Sequence, residues 1–168
     1  MAAINNQKAV IFGCSKTYTH AEGLSCVFRQ MNAESHCKYL HGYAIKVQIE
    51  FETQHLDPNN WVVDFGGMKE IKQWLKDTFD HKTLVAKDDP AINFFRDMAK
   101  EYAEGKKLIQ LVEVDAVGME AFAFMIYNHV NDWLCKTDSI DPGGRVILKK
   151  VTVSEHDGNN ASVRSPGR

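Results

Sequence analysis

Residues 44–52 admit one local structure. Ile45, Val47, Ile49 and Phe51 alternate with Lys46, Gln48, Glu50 and Glu52. Successive side chains of an extended chain point to opposite faces, so this strict period of two predicts a strand with one buried face. His41 and Tyr43 share the parity of the buried residues. A polar group on a buried face needs a partner, so His41 is either a satisfied core histidine or part of a site. Residues 146–153 read as a second strand, with Val151, Val153 and Glu155 in phase. Between the two lie stretches of helical period. Phe65, Met68, Ile71, Trp74 or Leu75, and Thr78 follow Asp64 as an N-cap. Phe122, Met125 or Ile126, His129 or Val130, and Trp133 or Leu134 follow Gly118. They predict amphipathic helices over 65–79 and 118–135.

The remaining segments are shorter. An apolar run at 9–12 continues as a strand towards Tyr18, and 24–30 is extended. Residues 31–36 are loop-like, Asp57-Pro58-Asn59-Asn60 is a turn, and 61–63 is a short extended piece. Asp88-Asp89-Pro90 opens a charged helix over 91–104 that Gly105 stops. Residues 108–114 are extended. Asp141-Pro142-Gly143-Gly144 is a turn, and Asp157-Gly158 signals a hairpin returning at 161–163. Strand, strand, helix, helix, strand, strand is the order of an α+β domain. The prediction is an antiparallel four-stranded sheet with two main helices on one face.

A chain of 168 residues fits a single domain over 1–168 with a real core. Net charge is −2, which gives no basis for a nucleic-acid or anionic-membrane partner. No run of ~18 apolar residues is present, and residues 1–8 lack the apolar core of a signal peptide. A cytoplasmic protein is expected. Cys14, Cys26, Cys37 and Cys135 are widely spaced, which suits free thiols or ligands better than a disulfide framework.

Four places have chemistry to offer. Cys37 sits among His36, Lys38 and His41; nearby positive charge makes thiolate available, although most free cysteines are small buried hydrophobes. Asp80 precedes His81, and a carboxylate can fix an imidazole tautomer. A histidine near a helix C-terminus also suits the helix dipole. Glu155 lies on the apolar-phase side of a strand, where a carboxylate needs a partner or a ligand. Glu120 falls in the first turn of a helix, where an acid is favourable in any case.

Taken together, the set is similar to the 6-pyruvoyl-tetrahydropterin synthase and 6-carboxy-tetrahydropterin synthase family. The resemblance runs from about Lys16 to Val163. It includes Phe28-Arg29-Gln30, Ser35-His36-Cys37, Leu40-His41-Gly42, Leu56-Asp57-Pro58, Val62-Val63-Asp64-Phe65-Gly66, Phe79-Asp80-His81, Asp88-Asp89-Pro90 and the closing Val153-Ser154-Glu155. It implies a tunnelling fold, assembled as a homohexamer of two trimers with active sites at subunit interfaces. It also implies action on 7,8-dihydroneopterin triphosphate, and a place in deazapurine (queuosine) biosynthesis. Cys37 would be the proton-transfer thiol, Asp80 and His81 its partners, Glu155 the pterin anchor and Glu120 a second acid near the ring. The family holds zinc on three histidines; this chain has Phe28, His41 and Tyr43 at those positions. Gly118 stands where the family has Thr or Ser. Three readings follow. Zinc is held by His41 and Cys26 with His36 or His20; or the protein is a metal-free relative that binds its ring through Glu155; or it is a non-catalytic homologue.

Overall fold

The computed structural model describes residues 10–136, 143–156 and 158–166. Along them run β1 (Phe12–Tyr18), β2 (Ser25–Phe28), β3 (His41–Ala44), β4 (Lys46–Thr53), α1 (Lys69–Phe79), β5 (Lys82–Ala86), α2 (Ile92–Met98), β6 (Leu111–Val114), α3 (Met119–Lys136), β7 (Ile147–His156) and β8 (Asn159–Arg164). One sheet has the order β1-β4-β7-β8 and is antiparallel throughout. This is the expected α+β arrangement. Val47, Ile49, Phe51 and Thr53 of β4 are buried while their alternates are half-exposed.

Two helices cover that sheet. α3 lies across β7 and β8. α1 packs beside it, through Phe79 edge-on to Phe122 at 5.3 Å between ring centroids and Trp74 stacked on His129 at 3.8 Å. Ile71, Leu75, Phe79, Phe122, Ile126 and Val130 are fully buried between helices and sheet. Each such side chain contributes roughly 1.5–3 kcal/mol of transfer free energy.

A second sheet, of order β3-β2-β5-β6, was not anticipated. β2 pairs antiparallel with β3 but parallel with β5, and β5 pairs parallel with β6. Its strands have four or five residues each, too few for a period to declare itself. β5 also buries four consecutive residues, Thr83 to Ala86, as parallel strands covered on both faces do. The continuous strand expected through His41 and Tyr43 into β4 is interrupted at Ile45. Its first part, β3, joins the second sheet, so His41 and Tyr43 leave the core face of β4.

Other boundaries also differ. The helix expected over 91–104 stops at Met98; beyond it the Glu101 carboxylate accepts the Gly105 N–H at 2.7 Å and turns the chain. Residues 61–63 form a bend rather than a strand. The hairpin joining β7 to β8 is present, closed by His156 opposite Asn159. Residues 1–9, 137–142, Asp157 and 167–168, including part of both glycine-containing turns, lie outside the described residues. No helix among the described residues is long and apolar enough to cross a membrane, and all four cysteines are free thiols.

A fork of hydrogen bonds fastens the end of β2 to α2. Arg29 donates from Nε and Nη2 to the two carboxylate oxygens of Asp89 at 2.9 and 2.7 Å, and Asp89 also accepts the Ala91 N–H at 2.8 Å. The Asp89 side chain is 2% exposed. Hydrogen bonding to Arg29 holds its carboxyl below the usual range. A depressed carboxyl stabilises the fold fully above its unfolded value of ~3.9, and that stabilisation is lost as pH falls through the lower folded value. Asp89→Ala is expected to lower unfolding free energy by about 3 kcal/mol at pH 7, measured by urea denaturation. The difference from the unsubstituted protein shrinks below pH ~4.

Candidate functional site

The candidate residues are arranged around β2. After β2 the chain loops out and returns as a short 3₁₀ turn, His36–Lys38. Ser35 caps it, its hydroxyl accepting the Cys37 N–H at 3.4 Å. The Gln30 N–H donates to the Cys37 carbonyl at 2.8 Å. Cys37 is thereby held, half-buried, beside the exit of β2. β3 then runs back with His41 opposite Phe28 and Tyr43 opposite Cys26.

The hydrogen bonds of His41 fix its tautomer. Nδ1 lies 2.8 Å from the Tyr39 carbonyl, which only accepts, so Nδ1 carries the proton. Nε2 is left as an acceptor, and the Tyr43 hydroxyl donates to it. The Tyr43 ring stacks on Phe28 at 4.3 Å and 17°, and Phe28 meets the edge of Phe122 at 5.0 Å. Burial, aided by the charges of Glu155 and then Cys37, pushes the Tyr43 phenol up to about 12. It stays protonated at neutral pH. β3 lies against β7, the strand that carries Glu155, and the Cys37 turn immediately precedes β3.

Glu155 owes its position to an irregularity. Ser154 pairs with Asn160 and His156 with Asn159, so Glu155 is the extra residue of a bulge, a device that re-aims a side chain. Its carboxylate accepts from Asn159 Nδ2 at 3.4 Å. Glu120, exposed at the start of α3, is linked to the same region through Gln30. Gln30 Nε2 donates to the Val117 carbonyl at 2.7 Å. Its amide lies only 2.4 Å from where a Cβ on Gly118 would stand, and Glu120 Oε2 is 3.9 Å from that point. Gln30 is a site-lining residue with no local sequence signal, because its role depends on contacts 87 residues along the chain.

Asp80 and His81 lie elsewhere. Asp80 Oδ1 and His81 Nδ1 are 2.6 Å apart, so the expected pair exists. The His81 N–H bonds to the Ser25 carbonyl, at the opposite end of β2 from Gln30 and Cys37. Five extended residues at ~3.3 Å each separate the two anchor points by roughly 16 Å.

The proposed alternative zinc ligands are not assembled either. His20 is exposed in the turn His20–Glu22, ahead of Gly23, whose Cβ position is 3.9 Å from Asp80; this is the far end of β2. The His36 ring is 6.4 Å from that of His41. Cys26 is 1% exposed within the core, and burial pushes its thiol up to about 12. Among the described residues no three His, Cys, Asp or Glu side chains are grouped so as to hold a metal ion.

Residues 17–166 match the family described as 6-pyruvoyl tetrahydropterin synthase. The chain belongs to that family. The 6-carboxy-5,6,7,8-tetrahydropterin synthase of Rickettsia felis is 31% identical over 62 residues, 36% of this chain and 45% of that protein. A putative enzyme of the same name from Pyrococcus horikoshii is 34% identical over 73 residues, 44% of this chain and 43% of that protein. The matched stretch therefore spans less than half the length of these curated relatives. An uncharacterized protein from Wolinella succinogenes shares the fold with a TM-score of 0.72 at 20% identity, over 94% of this chain and 99% of that one. The 6-pyruvoyl tetrahydropterin synthase of Plasmodium falciparum does so at 0.62 and 14%, over 92% and 98%.

Zinc, which the 6-pyruvoyl tetrahydropterin synthase resemblance implies, does not fit the residues present. Phe28 has no donor atom. The Tyr43 phenol is protonated, and both nitrogens of His41 are already engaged. A catalytic zinc normally takes three protein ligands. Among the described glycines, Gly118 is the one at which an added Cβ would meet the closest neighbour, the Gln30 amide. Gly118 has φ +117°, a conformation that side-chain-bearing residues rarely adopt. Gly118→Ala is expected to destabilise the protein by about 1–3 kcal/mol in thermal melts and to displace Gln30. Retained Tm with an unmoved Gln30 in a crystal structure of the variant contradicts this.

Proposed function

We propose that this chain is a pterin synthase-like lyase acting on 7,8-dihydroneopterin triphosphate or a close pterin. The 6-carboxy-tetrahydropterin synthase reaction, and through it deazapurine (queuosine) biosynthesis, is the preferred assignment. The observation that carries this reading is that β3, which bears Tyr43 and follows the Cys37 turn, lies against β7, which bears Glu155, with Glu120 tied to the Cys37 loop by Gln30. In this reading Glu155 accepts two N–H donors from the edge of a bicyclic ring, a charge-assisted and directional contact. Glu120 is a second acid near that ring. Cys37 moves a proton at the ligand side chain. Asp80 orients His81, which serves as the acid–base partner of a thiol.

The separation of His81 from Cys37 supports a site shared between two copies of the chain. A neighbouring protomer brings its own Asp80–His81 pair to this Cys37. The antiparallel sheet ends in β1 on one side and β8 on the other, and open edges favour strand pairing between copies. Closure into a barrel of three copies, and a hexamer of two such rings, is the assembly proposed. A second reading, a pterin-binding homologue without turnover, is supported by Phe28 and Tyr43 at the positions where the family places zinc ligands.

Subunit complementation tests the proposal. Cys37→Ala and His81→Ala are each expected to lower turnover of 7,8-dihydroneopterin triphosphate by at least ~10²-fold. Unfolded and refolded as an equal mixture, they are expected to recover activity, because about a quarter of the interfaces in a randomly mixed ring join two intact halves. No recovery removes the shared-site assignment. Glu155→Gln is expected to weaken pterin binding about tenfold or more by calorimetry. Unchanged affinity takes Glu155 out of the site. Glu155-dependent binding by a protein that turns nothing over establishes the second reading.

A further inference from the structure

We propose that the Tyr43–His41 pair receives a side-chain hydroxyl of the ligand at the point where three imidazoles would hold zinc, and that the chain binds its ligand there without a divalent metal. The ligand class rests on the ring-binding reading above; the metal-free donor set does not.

The geometry is that of a row of rings with Tyr43 in the middle. Phe28 and His41 are cross-strand partners. Tyr43 follows His41 by two residues, so both point to one face of β3. The ring centroids of Phe28 and Tyr43 are 4.3 Å apart and those of His41 and Tyr43 4.6 Å. Tyr43 thus lies between Phe28 and His41, and these are the three positions where the family resemblance places imidazoles. The actual chemistry differs at each position. Phe28 contributes a hydrocarbon face. His41 donates from Nδ1 to Tyr39 and accepts at Nε2 from Tyr43. Tyr43 thus commits its proton to His41 and leaves its oxygen lone pairs for a further bond.

That arrangement selects the ligand group. A phenol oxygen whose proton is already directed to an imidazole accepts a hydrogen bond and has none to give. It takes a donor, which among the groups of a hydroxylated side chain is the hydroxyl, and discriminates against a carbonyl, which cannot donate. The phenol–imidazole bond also pre-orients the acceptor, because the imidazole is itself fixed by the Tyr39 carbonyl. β3 lies against β7, so a ring anchored at Glu155 would direct its side chain towards Tyr43.

Two measurements decide the matter. The first is zinc content, by mass spectrometry, of protein expressed with zinc and never exposed to chelator. The unsubstituted chain is expected to hold substoichiometric zinc, and Phe28→His/Tyr43→His about one ion per chain at nitrogen distances near ~2.1 Å. Tyr43→His alone, which keeps the Phe28–Phe122 contact, is expected to gain weaker zinc binding and serves if the double variant does not fold. Stoichiometric zinc in the unsubstituted chain that is lost in His41→Ala overturns the metal-free donor set. Absence of any gain in folded variants overturns the assignment of this cluster to the metal position. The second is calorimetry with 7,8-dihydroneopterin and with a 6-methyl pterin lacking hydroxyls. The unsubstituted chain is expected to prefer the hydroxylated ligand about tenfold, and Tyr43→Phe to abolish the preference. A preference that persists in Tyr43→Phe refutes the hydroxyl contact while leaving ring binding intact. Failure of both pterins to bind refutes ring binding and the hydroxyl contact together, and the zinc result still stands alone.

Discussion

β2 is hydrogen-bonded on both edges, antiparallel to β3 and parallel to β5, and the arrangement of the site depends on that. A strand held on two sides has one register. A slip of one residue would turn Cys26 and Phe28 out of the core and carry their cross-strand partners with them. In the register adopted, Phe28 stands opposite His41 and Cys26 opposite Tyr43, while Cys26 also faces Lys82, the residue after His81. Four residues of backbone thus set the positions of the aromatic cluster at one end and the Asp80–His81 pair at the other. The Arg29–Asp89 fork then anchors the exit of β2 to α2 and, with the Gln30 bond, keeps the Cys37 loop in place.

How much of this could be read beforehand follows from element length and from the number of buried faces. β4, α1 and α3 are long and bury one face, so their periods are unambiguous; β7 buries Val151 to Ser154 consecutively but is long enough, at ten residues, to read as a strand. Glu155 could be singled out by its phase in β7, but the bulge that re-aims it depends on pairing with β8. β5 left no alternation to detect because both its faces are covered. The break at Ile45 was hidden because β3 and β4 together imitate a single alternating run. Cys26 and Phe28, two residues apart on β2, share a face, yet that face is the core, where a thiol is a small hydrophobe. His20 and His36, near the strands in sequence, are separated by the length of β2.

Tyr43 illustrates a different limit. Its place beside His41 is an i, i+2 relation on one strand face, which sequence spacing contains. What spacing cannot supply is the direction of the hydrogen bonds. Those follow from the Tyr39 carbonyl, an obligate acceptor that assigns the His41 tautomer and so makes Tyr43 the donor. The loss of two imidazoles from the cluster is visible in the sequence; the bond that replaces them is visible only once the loop before β3 is in place.

His81 carries the argument about assembly furthest. It follows the last turn of α1 with φ +57°, the left-handed region in which helices commonly end on glycine. A residue with a side chain there carries strain on the order of 1–3 kcal/mol, and such strain persists where the surroundings enforce it. Its N–H is held by Ser25, but its side chain is 81% exposed and oriented by the Asp80 carboxylate. Glycine would make the same backbone turn with less strain, so the stability of this helix end does not account for the imidazole. The side chain is directed outward, as expected of a group whose partner belongs to another copy of the chain. In the proposed assembly the half-buried Cys37, roughly 16 Å away along β2, is the complementary half of such a site.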